Sequence, residues 1–443
     1  MKYLSPCRAP PRIRRSASKS AASVATLNFE GVGVRSGKDQ DQEATHSGTK
    51  GRRKSGVAED PTMDPTPLLD AARAERERIG RFNLAIVGGT GVGKSSLLNA
   101  IFGEDRAETG VGMPVTKGIT YHVDEAHALG IWDFEGFEIG SQVDPAQRIR
   151  QNLQTIAAGP PEQQIAVVWY CVLSTSSRLT QPDIDMIRAF AADGLHVIVV
   201  LTKVARVKNH LTNKWTVSDD AAKMLAFLAD PDGADGRGEP LDLPVAATVL
   251  TAAVDQGKFG GPRHGLAELL TTTLDLSRDS AQDAFRVAQQ LSLPMKRELA
   301  RRAIRTAVAS SVTAAMVPIP FADAVILAPI QLGMMGKISA VYGIDLKVVF
   351  SAQALAQLAT QFAGRALVRS ALKVIPGIGS VINASVAGAL TGASGEAWMR
   401  LCEAIHTGAI QLDNIERLWR EYEPSAMQIL TEFLRTRGRS ASR

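Results

Sequence analysis

The run Gly88-Gly89-Thr90-Gly91-Val92-Gly93-Lys94-Ser95-Ser96 follows the pattern G-x-x-x-x-G-K-[ST]. Glycines at this spacing let the backbone curl tightly enough to aim successive N–H groups at one anion. Lys94 brings a point charge to the terminal phosphates of a nucleotide, and the Ser95 hydroxyl suits the Mg²⁺ that bridges them. The flanks fit this chemistry. Phe82-Asn83-Leu84-Ala85-Ile86-Val87 reads as a buried parallel strand entering the loop. Ser96-Leu97-Leu98-Asn99-Ala100-Ile101-Phe102 reads as a helix whose positive end faces the phosphates.

Further residues follow in the order and spacing that nucleotide chemistry needs. In Gly110-Val111-Gly112-Met113-Pro114-Val115-Thr116-Lys117-Gly118, read as a loop between strands, Thr116 offers a hydroxyl to Mg²⁺ and an N–H to a γ-phosphate. Leu129-Gly130-Ile131-Trp132-Asp133-Phe134-Glu135-Gly136-Phe137 delivers Asp133 at the end of an apolar strand, where a carboxylate holds Mg²⁺ through its water shell. Gly136, three residues on, leaves room for its N–H at the γ-phosphate. The strand His196–Leu201 delivers Thr202 and Lys203, a threonine to tie this loop to the phosphate loop and a lysine stem to lie along a base. Thr251 and Ala252, after a last strand near 244–250, are candidates to offer a backbone N–H to the base.

Apolar strands near 82–87, 119–124, 128–133, 165–173, 195–202 and 244–250 must position these groups. They alternate with helical patterns near 94–103, 144–157, 181–193, 216–229 and 264–275. Such alternation predicts an α/β fold: a doubly wound, mostly parallel sheet of the P-loop NTPase kind, with the ligand at the carboxyl ends of the strands. From about Ser280 the pattern turns helical, so an all-α C-terminal domain follows. The expected division is a basic, disordered tail over 1–62, a leading helix within 63–80, a nucleotide-binding domain over 81–278 and a helical domain over 279–443.

The blocks resemble an Era/TrmE-like bacterial P-loop GTPase of the translation-factor-related class. The resemblance is carried by the phosphate loop with Ser96–Gly103, by Gly112-Met113-Pro114-Val115-Thr116, by Asp133-Phe134-Glu135-Gly136 and by Val168-Trp169-Tyr170-Cys171. The helical region is similar to the C-terminal domain of unknown function that accompanies many such GTPases, through Pro318–Asp323, Pro329-Ile330-Gln331, Tyr342-Gly343 and Ile375–Ser380. The resemblance implies GTP/GDP as ligand with Mg²⁺, Lys94, Thr116 and Gly136 as the catalytic set, and a membrane link for the helical domain. Phe137 stands where some GTPases carry a water-positioning glutamine, which implies slow intrinsic hydrolysis. Gly91 stands where potassium-activated relatives carry an asparagine. Ala205 occupies the place of the guanine-reading aspartate in [NT]-K-x-D, which leaves base selectivity open between guanine, adenine and neither.

Composition limits the partners. The 443 residues are 45% hydrophobic and 21% charged, enough for two or three cores. Residues 1–60 hold 12 Lys/Arg against 6 Asp/Glu, so the net charge of +5 belongs to the tail, and the body carries no specific nucleic-acid signal. The tail is Arg- and Ser-rich and acid-poor until Glu30, as transit peptides are; a start at Met63 is the blander reading. Cys7, Cys171 and Cys402 lie far apart, with no zinc spacing and no disulfide framework, which fits a reducing, cytoplasmic setting.

Thr306–Gly336 and Val374–Gly395 are uncharged apart from Asp323, and each meets the ~20 residues of a membrane span. The first follows Lys296, Arg297, Arg301, Arg302 and Arg305; the second follows Arg365, Arg369 and Lys373. Such clusters suit the anionic cytoplasmic face of a membrane. Their Ala/Gly/Ser content suits the buried helices of a bundle equally. Two readings therefore stand beside a nucleotide switch acting on a helical effector: a P-loop NTPase of relaxed or adenine preference, and a membrane or protein-interaction module, self-associating or binding another protein, in which nucleotide is mainly structural.

Overall fold

The computed structural model describes residues 65–103, 111–116, 119–124, 128–134, 145–176, 178–208, 213–230, 241–316, 322–349 and 380–409, all within one unit, Glu59–Arg443. Gly136, Phe137, Pro318, Pro320, Cys7, the tail and the expected helices after Leu412 lie outside the described residues.

Seven strands form one sheet in the order β2-β3-β4-β1-β5-β6-β9. They are β1 (Phe82–Val87), β2 (Val111–Thr116), β3 (Ile119–Asp124), β4 (Leu129–Phe134), β5 (Val167–Leu173), β6 (Val197–Thr202) and β9 (Ala247–Leu250). β1 runs parallel to β4 and β5, and β5, β6 and β9 continue in parallel. β2 and β3 add an antiparallel edge. All six residues of β1 are buried, as expected of a strand covered on both faces. Chain order reverses at β1, so the loop after it opens at the switch point of the sheet. All six expected strands are present. β2 is not expected: Val111–Thr116 pairs along β3, with a register shift between Pro114 and Thr116, and so is an edge strand and not the predicted loop. β7 (Arg206–Lys208) and β8 (Trp215–Val217) form a small separate hairpin.

Alternation along β1 divides two cores. Ala85 and Val87 join Ile149 and Leu153 of α3 (Pro145–Ala157), Ile184 and Phe190 of α4 (Gln181–Ala192), and Met224 of α5 (Asp219–Leu228). Phe82, Leu84 and Ile86 join Ile101 and Phe102 of α2 (Lys94–Phe102). That second core runs on without a break into the helical region. It takes in Leu68 and Ile79 of α1 (Thr66–Ile79), Leu269 of α7 (Leu266–Leu276), Phe285 of α8 (Asp279–Ala288) and Leu299 of α9 (Leu293–Ala315). Met335 of α10 (Ala322–Val341) and Trp398 of α12 (Ser380–His406) complete it. Short helices α6 (Gly257–Gly260) and α11 (Leu346–Val349) fill connections. The leading helix is thus part of the helical region, and Arg76 donates to the Ile344 carbonyl at 2.7 Å. α8 lies against the sheet, with the Phe285 ring 4.7 Å from that of Phe82.

Described residues of both uncharged stretches pack against protein. Pro329 sits inside α10 and does not end it. A Cβ on Gly388 would come within 2.7 Å of Val312 Cγ2, so the small residues of α12 admit a close approach of α9. Gln331 donates to Thr391, and Thr391 to Ser311, linking α10, α12 and α9 through buried polar groups. Trp398 Nε1 lies 3.0 Å from both the Met335 carbonyl and Ser339 Oγ. Among the described residues no helix is long and apolar enough to cross a membrane.

Most of the basic cluster before the first uncharged stretch is engaged within the protein. Lys296 is buried and donates to the Val287 carbonyl. Arg297 pairs with Glu403, Arg301 with Glu396, and Arg302 with Glu298 and Asp283. Cys171 and Cys402 are buried and unbonded to each other, and burial pushes both thiols up to about 12.

Candidate functional site

The phosphate loop is held from both sides. Gly88 takes φ +141°, and a Cβ there would run into the carbonyl oxygen of Cys171 on β5. Gly93 takes φ +109° and caps α2 with no side chain, so the helix presents its first N–H groups uncapped. Lys94 opens that helix, is 7% exposed, and donates from Nζ to the Gly88 carbonyl at 2.9 Å. Ser95 and Ser96 follow it on the exposed first turn, and Gly89, Thr90 and Gly91 form the exposed crest of the loop. The carbonyls of Gly91 and Val92 are taken by the segment after β6. Thr202 Oγ1 donates to the Val92 carbonyl at 2.5 Å, and Lys203 Nζ to the Gly91 carbonyl at 2.7 Å. The threonine therefore ties the two loops together as expected, and the lysine does so as well, in a left-handed backbone conformation (φ +51°).

The expected metal ligands come to the same edge of the sheet. Asp133 on β4 pairs with Ile86 on β1, two residues before Gly88. Thr120 on β3 lies beside Asp133, and Thr116 ends β2 opposite Ile119. At ~4.8 Å per strand this sets the Thr116 backbone roughly two strand spacings from β4. Thr116 thus reaches the expected edge from the end of a strand.

Beside the loop opens a cavity of about 480 Å³, lined by Gly88, Gly89, Thr90, Phe134, Arg178 and Asp183 among others. The Asp183 carboxylate closes a capping box with Thr180 and accepts from the Tyr170 hydroxyl at 2.7 Å, which fixes the start of α4 against β5. Arg178 is absent from the residues singled out in the sequence. Its signal was a lone cation in the connection after a parallel strand, at the end of the sheet where ligands bind.

Residues 83–203 match the family described as 50S ribosome-binding GTPase, and residues 280–422 match a domain of unknown function, DUF697. The chain carries a GTPase domain followed by a DUF697 domain. It is also 27% identical over 177 residues to GTPase Der of Brucella anthropi, covering 38% of this chain and 31% of that protein. The chain thus spans about a third of the curated relative's length. The bacterial selenocysteine-specific elongation factor EF-Sec superposes with a TM-score of 0.24 at 16% identity, covering 44% of this chain and 28% of that one. That likeness is too slight to add to the fold already described.

At the base end of the GTPase domain the expected donors are already engaged. The Thr251 N–H donates to the Leu201 carbonyl at 2.7 Å, and the Ala252 N–H to the His264 carbonyl at 3.0 Å. Both N–H groups therefore bond within the protein in this structure. The cause is tertiary. Ala252 and His264 form an isolated antiparallel bridge, and Gly265, at φ +76°, lets that segment press onto the backbone of Leu250 and Thr251. The Thr251 hydroxyl adds a further bond to the Leu201 carbonyl at 3.0 Å. Ala205 is half-buried, and its carbonyl accepts the Ser218 N–H at 2.9 Å.

Proposed function

We propose that this chain binds GTP with Mg²⁺, hydrolyses it slowly, and uses the presence of the γ-phosphate to set the state of its helical region. The observation that carries the reading is the loop after β1. Its glycine conformations, uncapped helix start and buried Lys94 form a cradle for consecutive phosphates. In this reading Lys94 and the amides of Gly89 to Ser96 neutralise charge on the β- and γ-phosphates. The hydroxyls of Ser95 and Thr116 and the carboxylate of Asp133 are hard oxygen donors of the kind Mg²⁺ takes, and in this reading they would hold the metal. A metal held there would offset negative charge on the β- and γ-phosphates. In the same reading the Gly136 N–H would serve the γ-phosphate, and Phe137, which cannot orient a water by hydrogen bonding, would make turnover slow.

The far end of α2 supports a switch. The Gln290 N–H donates to the Ile101 carbonyl at 2.7 Å, and the Phe102 ring packs against Trp169 and Phe285. The helix that begins at the phosphates therefore ends on the corner between α8 and α9. The functional division falls there, near Gln289–Ser292, because α8 packs on the sheet. Era-like kinship belongs to this reading through Gly112–Thr116. An anionic membrane surface is a partner of the helical region through Arg365, Arg369 and Lys373, since four of the five earlier cations are spent on protein groups.

A second reading is favoured by the base end. With Ala205 in place of a carboxylate and the Ala252 N–H taken by His264, GTP is held by its phosphates and ATP is accepted nearly as well. Titration of the purified chain and of Lys94→Ala with fluorescent GDP and ADP tests both. The wild type binds and Lys94→Ala does not; normal binding by the variant sinks the functional reading. A tenfold preference for either base decides the second question.

A further inference from the structure

The cavity beside the loop lies on the γ-phosphate side of the site. Its wall includes Gly89 and Thr90 of the loop and Phe134, which stands between Asp133 and Gly136 in the chain. It does not include Thr202, Lys203 or Ala205, which belong to the base side. Ser176, Arg178 and Thr180, between β5 and α4, also line it. Arg178 is the one cation among these lining residues. Its side chain is exposed, and among the described residues no ion pair or hydrogen bond holds the guanidinium. The carboxylate nearest in sequence, Asp183, is occupied by Tyr170 and Thr180. On its C-terminal side the chain is held: Leu179 is buried, and the capping box begins at Thr180.

We propose that Arg178 is a catalytic residue supplied from within the chain, its guanidinium donating to the γ-phosphate oxygens and the β–γ bridging oxygen of bound GTP. The inference rests on the GTP-hydrolysing reading above. In the step itself the water oxygen bonds to the γ-phosphorus as the bond from that phosphorus to the bridging oxygen breaks. The electron pair of the broken bond stays on GDP. One water hydrogen remains on the inorganic phosphate and the other leaves to solvent. Negative charge grows on the bridging oxygen during this step, and a planar cation with a fixed fork of donors stabilises it more than the ground state.

The test uses the full chain under single-turnover conditions with GTP and Mg²⁺, comparing wild type, Arg178→Ala and Arg178→Lys. In Arg178→Ala hydrolysis falls by ~10²-fold or more, while affinity for fluorescent GDP stays within about threefold. Arg178→Lys keeps the charge but not the fork and recovers part of the rate. Wild type traps GDP with aluminium fluoride, and Arg178→Ala does not. Hydrolysis by Arg178→Ala within about threefold of wild type overturns the proposal, and so does a loss that lies wholly in nucleotide affinity. Failure of the wild type itself to hydrolyse GTP, with Lys94→Ala as the binding control, overturns the underlying reading as well.

Discussion

The two ends of the nucleotide site are built unequally. At the phosphate end the backbone is forced into conformations that favour glycine, a buried lysine starts the helix, and the side chains of Thr202 and Lys203 at the end of β6 brace the loop. At the base end the reading carboxylate is absent, and the two candidate N–H groups bond to Leu201 and His264. In the proposed reading, affinity and selectivity are carried by different parts of the fold. The phosphate end supplies charge-assisted bonds that any nucleoside triphosphate satisfies. The base end supplies few of the hydrogen bonds whose loss would reject a wrong base.

The largest effect expected is at Lys94. Lys94→Ala should weaken binding of GDP and ADP alike, by ~10²-fold or more, because one charged partner of both terminal phosphates is lost. Unequal losses by fluorescence titration would mean that the base end contributes more than its geometry indicates. Next is Ala205→Asp. If the missing carboxylate alone limits selectivity, the ratio of GDP to ADP affinity rises on the order of 10²-fold. An unchanged ratio assigns the limit to the bridge between Ala252 and His264. Thr202→Val removes the buried hydroxyl that holds the Val92 carbonyl. It should cost ~1–3 kcal/mol in denaturant unfolding, lower nucleotide affinity, and leave the base ratio alone. A shifted ratio would show that the two ends are coupled.

The smallest effect is a control at Lys296, far from both ends. Burial lowers its ammonium from 10.5 to about 7 in the folded chain. Between those values the unfolded chain binds the extra proton, so stability should rise with pH from about 7 towards 10.5, by at most ~1.4 kcal/mol per pH unit. Lys296→Met should remove that slope in urea titrations at a series of pH values, with nucleotide binding untouched. A wild-type slope that survives the substitution assigns the dependence to other groups.

Much of the fold could be read from periodicity and loop chemistry. β1, the phosphate loop and α2 announced themselves because a buried strand, a glycine turn and a helix start each have a local signature. β2 did not. Gly110–Gly118 carries two terminal glycines, a proline and little alternation, and Val111–Thr116 becomes a strand only because β3 offers it an edge. Thr202 was assigned correctly because its strand is strongly apolar and ends sharply. Arg178 was missed because nothing local distinguishes it from any other surface arginine. Lys296 and its arginine neighbours looked like a free cationic patch. Their partners Glu403, Glu396 and Asp283 are supplied by other helices and could not be paired from spacing.

By itself the sequence determined the doubly wound sheet, the phosphate cradle and the absence of the guanine-reading carboxylate. Each of these leaves a signature in contiguous residues, such as an apolar strand run, a glycine turn or a residue type at a fixed offset, that is legible before any distant partner is known. Tertiary structure alone decided which donors are spent and which cations are free. Hydrogen bonds and ion pairs are settled between groups far apart in the chain: Ala252 with His264, Thr202 with Val92, Arg297 with Glu403. A buried polar group takes whichever partner folding brings to it, because leaving it unmade costs more than any local preference.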